Sequence, residues 1–179
     1  MKPCITDSNN GPSKKISLLC QVDGLQRAEF AGALIAHKVV SYGYPANQSL
    51  QEAWLFFLTL DSGWNAIFSS VFTEIGEWKE VGCLNVTFSS ELPPLNKTKW
   101  TIIRFDNFFV ESVEWLVVNN DEIYVECGLV VKDALEREIV VATGVSPGSV
   151  SISLPLSSNS FRPEFATEQC ARLRIKSSA

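Results

Sequence analysis

Few residues in this chain have types and spacings suited to catalysis. A single histidine, His37, accompanies five cysteines, Cys4, Cys20, Cys83, Cys127 and Cys170. Any Ser-His-Asp or Cys-His relay must therefore use His37. No Gly-x-Ser-x-Gly elbow precedes a helix, and no cysteine occupies a nucleophile motif. His37 reads as a surface or core-satisfied residue rather than a general base. The cysteines are odd in number, widely spaced and lack a Cys-x-x-Cys pair. They read as free, mostly buried thiols in a reducing cytoplasm, not as a zinc site or a disulfide scaffold. No cofactor or metal is implied, and enzymatic activity is not the leading expectation. The scattered glycines form no phosphate loop, and Gly144-Val-Ser-Pro-Gly148 suits a hairpin turn, with Pro147 and Gly148 fitting type II.

Carboxylates supply the remaining candidates. Two strands flank Asn119-Asn120-Asp121. With all three residues in the loop, Val117 faces Ile123, Trp115 faces Val125, Val113 faces Cys127 and Phe109 faces Val131. That face is almost wholly apolar, so the hydrophobic pattern selects this register. Ile123, Val125, Cys127, Leu129 and Val131 are then expected to be buried, with Glu122, Tyr124 and Glu126 more exposed. Glu111 falls opposite Leu129, either on a sheet rim or as a pocket acid with a raised pKa. On the other face Glu114 opposes Glu126, a repulsive pair at about 5 Å between Cβ atoms. A bulged position near Asp106-Asn107 would bring Trp100 and Arg104 to the same face. Trp100, Arg104, Glu114, Tyr124 and Glu126 thus form a candidate binding patch, set against an ordinary solvated sheet face. Glu114 and Glu126 are also the only pair offered for a carboxylate-type hydrolase.

The elements that must position these groups are mainly strands. The segments 100–105, 108–118, 122–131, 137–144 and 149–154 are rich in β-branched and aromatic residues and separated by turn signals, which predicts an antiparallel meander over 99–154. Residues 16–22 suit a strand or a helix start, 37–44 an extended segment ended by Pro45, and 81–89 another strand. Residues 24–35 favour a helix, with Ala28, Gly32 and Ala36 spaced for close contact. Residues 49–75 admit two readings. Ser49 to Glu52 fits a capping box for a helix. The aromatic runs 54–60 and 64–70 around Asp61-Ser62-Gly63 fit a hairpin, which we prefer. Thr167 could cap a short C-terminal helix to Arg174. The fold class expected is α+β, dominated by antiparallel sheet, with residues 1–15 as a flexible leader and 16–179 as a single domain.

Composition bounds the partners. The chain has 179 residues, 46% hydrophobic, with five Trp and eleven Phe, enough for one aromatic-rich core. Its formal net charge is −5, and the only adjacent basic pair in the N-terminal region is Lys14-Lys15. Dispersed positive charge disfavours a nucleic-acid partner and leaves a basic protein or a cationic small ligand as the electrostatically easier one. The N-terminus has no apolar h-region, and no window reaches the roughly 18 apolar residues of a membrane span. The Asn-x-Ser/Thr triplets at Asn47, Asn85 and Asn96 are then read as chance. The leading functional expectation is a small acidic cytoplasmic interaction module of the immunity-inhibitor kind. The alternative is a small-molecule-binding domain with an aromatic-lined pocket, and the third is the carboxylate-pair hydrolase.

Overall fold

A computed structural model describes residues 4–8, 15–75, 79–95, 99–155 and 161–175. In chain order the strands are β1 (Cys4–Ser8), β2 (Lys15–Leu19) and β3 (Gln21–Asp23), followed by one short helix, α1 (Phe30–Leu34). Then come β4 (Lys38–Pro45), β5 (Phe56–Leu60), β6 (Asn65–Ile75), β7 (Lys79–Ser89) and the long β8 (Trp100–Asn119). β9 (Ile123–Asp133), β10 (Glu138–Thr143), β11 (Val150–Ser153) and β12 (Ala171–Arg174) complete the described strands. The strands run in the order β1-β2-β9-β8-β4-β5-β6-β7-β3, with β10 joining β9 to β11 and β12 added beside β8. Most pairs are antiparallel, but β2 with β9 and β3 with β7 are parallel, so the sheet is mixed. The protein is thus mostly β-sheet, with far less helix than expected. No helix among the described residues is long and apolar enough to cross a membrane.

β8 links the two halves of the sheet. Its first half pairs with β4, its second with β9 and β12. The Asp106-Asn107 signal, read as a turn between two strands, is instead an irregularity inside one strand. Asn107 takes φ +52°, a left-handed conformation that Asn tolerates, and the ladder continues past it. The 49–75 stretch forms the expected hairpin of β5 and β6. Gly63 sits at φ +84° in its loop, and the Leu60 N–H donates to the Trp64 carbonyl at 2.8 Å. Ser146 to Ser149 likewise forms the expected turn, closed by a 3.0 Å bond, with Gly148 at φ +78°.

Further expectations are corrected. The helix over 24–35 reduces to a 3₁₀ turn at Arg27–Glu29 that runs into the five-residue α1. Gly24 at φ +86° and Ala36 at φ +68° break the helical path at either end, and Ala36 lies outside α1, so the small residues form no continuous face. The C-terminal helix is replaced by a 3₁₀ turn at Thr167–Gln169 and then β12, whose Ala171 to Arg174 pair with Val117 to Glu114 of β8. A helix of two turns is marginal alone, whereas the β8 edge offers a ready ladder. Within the stretch read as a leader, Cys4–Ser8 pairs with Lys15–Leu19, while residues 1–3 and 9–14 lie outside the described part.

The β8–β9 register is corrected as well. Asn120 anchors a longer turn: its side-chain oxygen accepts from the N–H groups of Glu122 and Ile123, both at 2.9 Å, and Asn119 pairs with Tyr124. Val118 then faces Val125, and Val117 faces Glu126. Cys127 is the extra residue of a bulge, beyond which Leu116 faces Gly128, Trp115 faces Leu129 and Val113 faces Val131. The bulge sends β9 side chains to alternate cores. Ile123, Val125 and Cys127 join Leu18, Val81, Cys83, Leu116 and Val118, whereas Leu129 and Val131 join Val113, Trp115 and Val117 in the larger core with Phe30, Phe56, Phe68 and Phe108. Ile123, Val125, Cys127, Leu129 and Val131 are buried, as expected, but Glu126 is buried too, at 3% exposure.

Candidate functional site

A cavity of about 340 Å³ opens at the β5–β6 turn, lined by Gly24, Leu25, Ala33, His37, Ser62, Trp64 and Phe88. Its walls are mostly apolar, and its polar groups come from His37 and Ser62. Each wall is positioned by a local backbone device. The left-handed Ala36 ends the α1 region, and the chain is then pinned to β8 by Ala36 N–H on the Val110 carbonyl and Val110 N–H on the His37 carbonyl, both at 2.9 Å. The β4–β5 pairing of Val39 with Leu60 carries His37 alongside Asp61. Gly24 completes the wall because its backbone approaches the Phe88 carbonyl so closely that a Cβ would collide with it.

His37 Nδ1 and Asp61 Oδ1 lie 3.0 Å apart at the rim. The His37 side chain, helped by the backbone N–H groups of Lys38 and Ser62, holds the Asp61 carboxyl below the usual carboxylate range against opposing desolvation. With Nδ1 donating to Asp61, Nε2 is the ring nitrogen left to meet a ligand. The two side chains are 38% and 43% exposed, so the pair is wet, and it supplies orientation and hydrogen bonding rather than strong charge stabilisation.

The structure does not bring the sequence-derived patch together. Trp100 pairs with Pro45 and packs edge-on to Phe57 at 5.2 Å, and Arg104, opposite Ser41, is exposed in a separate shallow groove with Ile103, Phe105 and Asp106. Glu114 faces Val130, and Glu126 faces Val117. Strand alternation puts the two glutamates on opposite faces, so neither the repulsive pair nor a carboxylate dyad exists. Glu114 meets Lys132 at 3.6 Å and Arg172 at 3.7 Å, within a network that Glu138 closes through the same two cations. Glu126 is held by Arg27 at 2.5 and 2.6 Å and accepts the Cys20 N–H at 2.7 Å. Only Tyr124 remains its neighbour from the proposed set. Burial, then the nearby Glu126 charge, pushes the Tyr124 hydroxyl pKa up. Glu111 is the extra residue of a second bulge, between Val110 and Ser112, and is exposed to solvent rather than on a core face. Asn85, one of the Asn-x-Ser/Thr positions, is buried at 2% exposure.

Asp61, Ser62 and Trp64 were missed as site residues although their turn was read correctly. The signal that could have found them is the pairing of the 37–44 segment with the following strand, which sets Asp61 beside His37. No family model matches the chain, and no curated protein or solved structure matches it either.

Proposed function

We propose that this protein binds a small molecule in the Trp64 cavity, a ligand with a flat apolar body and one polar group. The observation that carries this reading is the convergence of Trp64, Phe88 and Leu25 with His37, itself paired to Asp61, around one cavity of about 340 Å³, within the range of small-ligand sites. A ring can lie against Trp64, and a hydroxyl or amide of the ligand can meet His37 Nε2. The interaction-module reading rests on small size and net acidic charge, and counts Glu114 and Glu126 among its candidate binding residues. With each engaged in its own ion pairs, the cavity is the better-supported site.

The test is a ligand-detected NMR screen of hydroxylated aromatics, phenols, indoles and hydroxyquinolines, against wild type, Trp64→Ala, His37→Ala and Trp54→Ala. Trp54 is 66% exposed in a different groove, lined by Asn47, Gln48 and Glu52. Binders should be lost in Trp64→Ala, weakened in His37→Ala and kept in Trp54→Ala. A screen without binders, or binders indifferent to Trp64→Ala, overturns the reading.

A further inference from the structure

Cys127 and Cys170 bring their sulfurs to 3.7 Å across two elements far apart in the chain. Cys127 is the bulge residue of β9 and is 2% exposed. Its thiol reaches the Leu116 carbonyl at 3.4 Å. Cys170 immediately precedes β12 and is half-buried, its thiol within 3.5 Å of the Ala166 carbonyl. The approach is built from both sides. Phe161, Phe165 and Cys170 pack on the smaller core that contains Cys127. Backbone bonds hold this C-terminal stretch in place: Glu164 N–H donates to the Thr143 carbonyl at 2.8 Å, and β12 ladders onto β8 directly after Cys170. The Glu164 carboxylate also accepts the Gly82 N–H at 3.0 and 3.1 Å.

We propose that Cys127 and Cys170 are an oxidation site, in which a hydroperoxide oxidises Cys170 and Cys127 resolves it to a disulfide. The asymmetry of the pair assigns the roles. Cys170 alone is open to solvent, and the Cys127 S–H can donate to its thiolate, which draws the Cys170 thiol below its ordinary range. The same bond, together with burial, pushes Cys127 up, so the buried sulfur keeps its proton until the second step.

With hydrogen peroxide the atoms balance as follows. The Cys170 thiolate attacks one peroxide oxygen and the O–O bond breaks. Cys170 becomes a sulfenic acid, and the departing hydroxide takes up the proton that Cys170 released, forming water. The Cys127 sulfur then attacks the sulfenic sulfur. The S–O bond breaks, and hydroxide leaves with the Cys127 proton as a second water. Two thiols lose two electrons and the peroxide gains them. The sulfurs must close from 3.7 Å to about 2.05 Å, a shift that falls to the more exposed Cys170 side chain. The product staples the C-terminal stretch onto the β9 bulge. Cys20 and Cys83, at 3% and 1% exposure, lie sealed in the interior and take no part.

The test uses the full-length protein, reduced, freed of reductant and exposed to hydrogen peroxide, followed by non-reducing peptide mapping. The expected product is a cross-link between the peptides bearing Cys127 and Cys170, about 2 Da lighter than the two thiols and reversed by dithiothreitol. Its melting temperature should exceed that of the reduced protein by several degrees, because the bond closes a long loop. Cys127→Ser should accumulate a dimedone-reactive sulfenic acid at Cys170, and Cys170→Ser should leave Cys127 unmodified. The proposal is overturned if wild-type Cys170 proceeds to sulfinic or sulfonic acid while Cys127 stays alkylatable, or if Cys170 links to a different cysteine. The wild-type map decides this even should a variant fail to fold.

Discussion

Arg27 grips Glu126 with one guanidinium nitrogen shared between both carboxylate oxygens, at 2.5 and 2.6 Å, and turns its other terminal nitrogen onto the Cys20 carbonyl at 2.5 Å. The same guanidinium lies 5.0 Å from the Trp115 ring centre, and Trp115 stacks on Phe30 of α1 at 5.3 Å. One arginine therefore fastens the segment that carries Gly24, Leu25 and Ala33 to the centre of the sheet.

Removing one partner strands a charge that is only 4% exposed, so Arg27→Ala is expected to lower unfolding stability by about 3 kcal/mol. Glu114→Gln, whose cations sit at 3.6 and 3.7 Å near the surface, should cost less than about 1 kcal/mol. Urea midpoints of the two variants at constant m-value check the ordering. Equal losses would show that the Arg27–Glu126 pair is no more than a surface contact.

Gly24 and Gly32 lie eight residues apart in one segment and should answer oppositely to the same change. An Ala at Gly24 meets the Phe88 carbonyl and must hold φ +86°, so Gly24→Ala should lose about 2 kcal/mol and weaken ligand binding in the cavity. A Cβ at Gly32 meets nothing within 4 Å inside α1, so Gly32→Ala should gain about 0.5–1 kcal/mol. Thermal unfolding of both proteins tests the sign.

Ala36 adopts φ +68° without the freedom of glycine. Ala36→Gly should stabilise by up to about 1 kcal/mol, since the left-handed conformation then costs nothing sterically. Chemical denaturation decides it, and a loss would mean that the Ala36 methyl contributes packing worth more than the strain.

What was legible in the sequence followed from local signals. The strand segments, the 49–75 hairpin and the Pro147-Gly148 turn rest on alternation, β-branched content and glycine placement, which act over a few residues. The β8–β9 register was not legible, for a physical reason. Parity selects a register when one sheet face is polar, but β9 has a core on each side, so Ile123, Val125, Leu129 and Val131 are buried under either choice, and the Asn120 cap with the Cys127 bulge decides instead. Glu126 is polar in a buried stretch because its partner, Arg27, comes from a segment 99 residues away, a distance no local pattern spans. The candidate patch failed with the register on which it was built. The cavity was missed because His37 and Asp61 meet only through strand pairing. The helix over 24–35 was overestimated because propensity is a weak prior against the tertiary pull on Arg27.

Asp133 supplies the acid-sensitive prediction. It is 3% exposed at the β9–β10 turn, where its carboxylate accepts Arg137 Nε at 2.6 Å and the N–H groups of Leu135 and Arg137, both at 2.9 Å. Arg137 in turn donates to the Asn107 carbonyl, which ties the turn to the kink in β8. Burial pushes the Asp133 carboxyl pKa up, but the Arg137 side chain and the two backbone donors more than offset it, leaving the group below the usual carboxylate range. A folded-state pKa depressed below the unfolded value of about 3.9 makes the unfolded chain bind more protons in that window. The stabilisation is therefore fully present above the unfolded value and drains away as pH falls through the folded one. Asp133→Asn should lower stability at pH 7 by about 2 kcal/mol, the scale of hydrogen bonds to a buried charge. The gap between wild type and variant should stay constant down to about pH 5 and narrow progressively below pH 4. Asp61 and Glu138, also held below the ordinary range, contribute equally to both proteins and cancel in the difference. Urea unfolding of the pair from pH 7 to pH 2.5 measures it. A gap that widens on acidification would mean that Asp133 is destabilised as a carboxylate, and that burial outweighs its three donors.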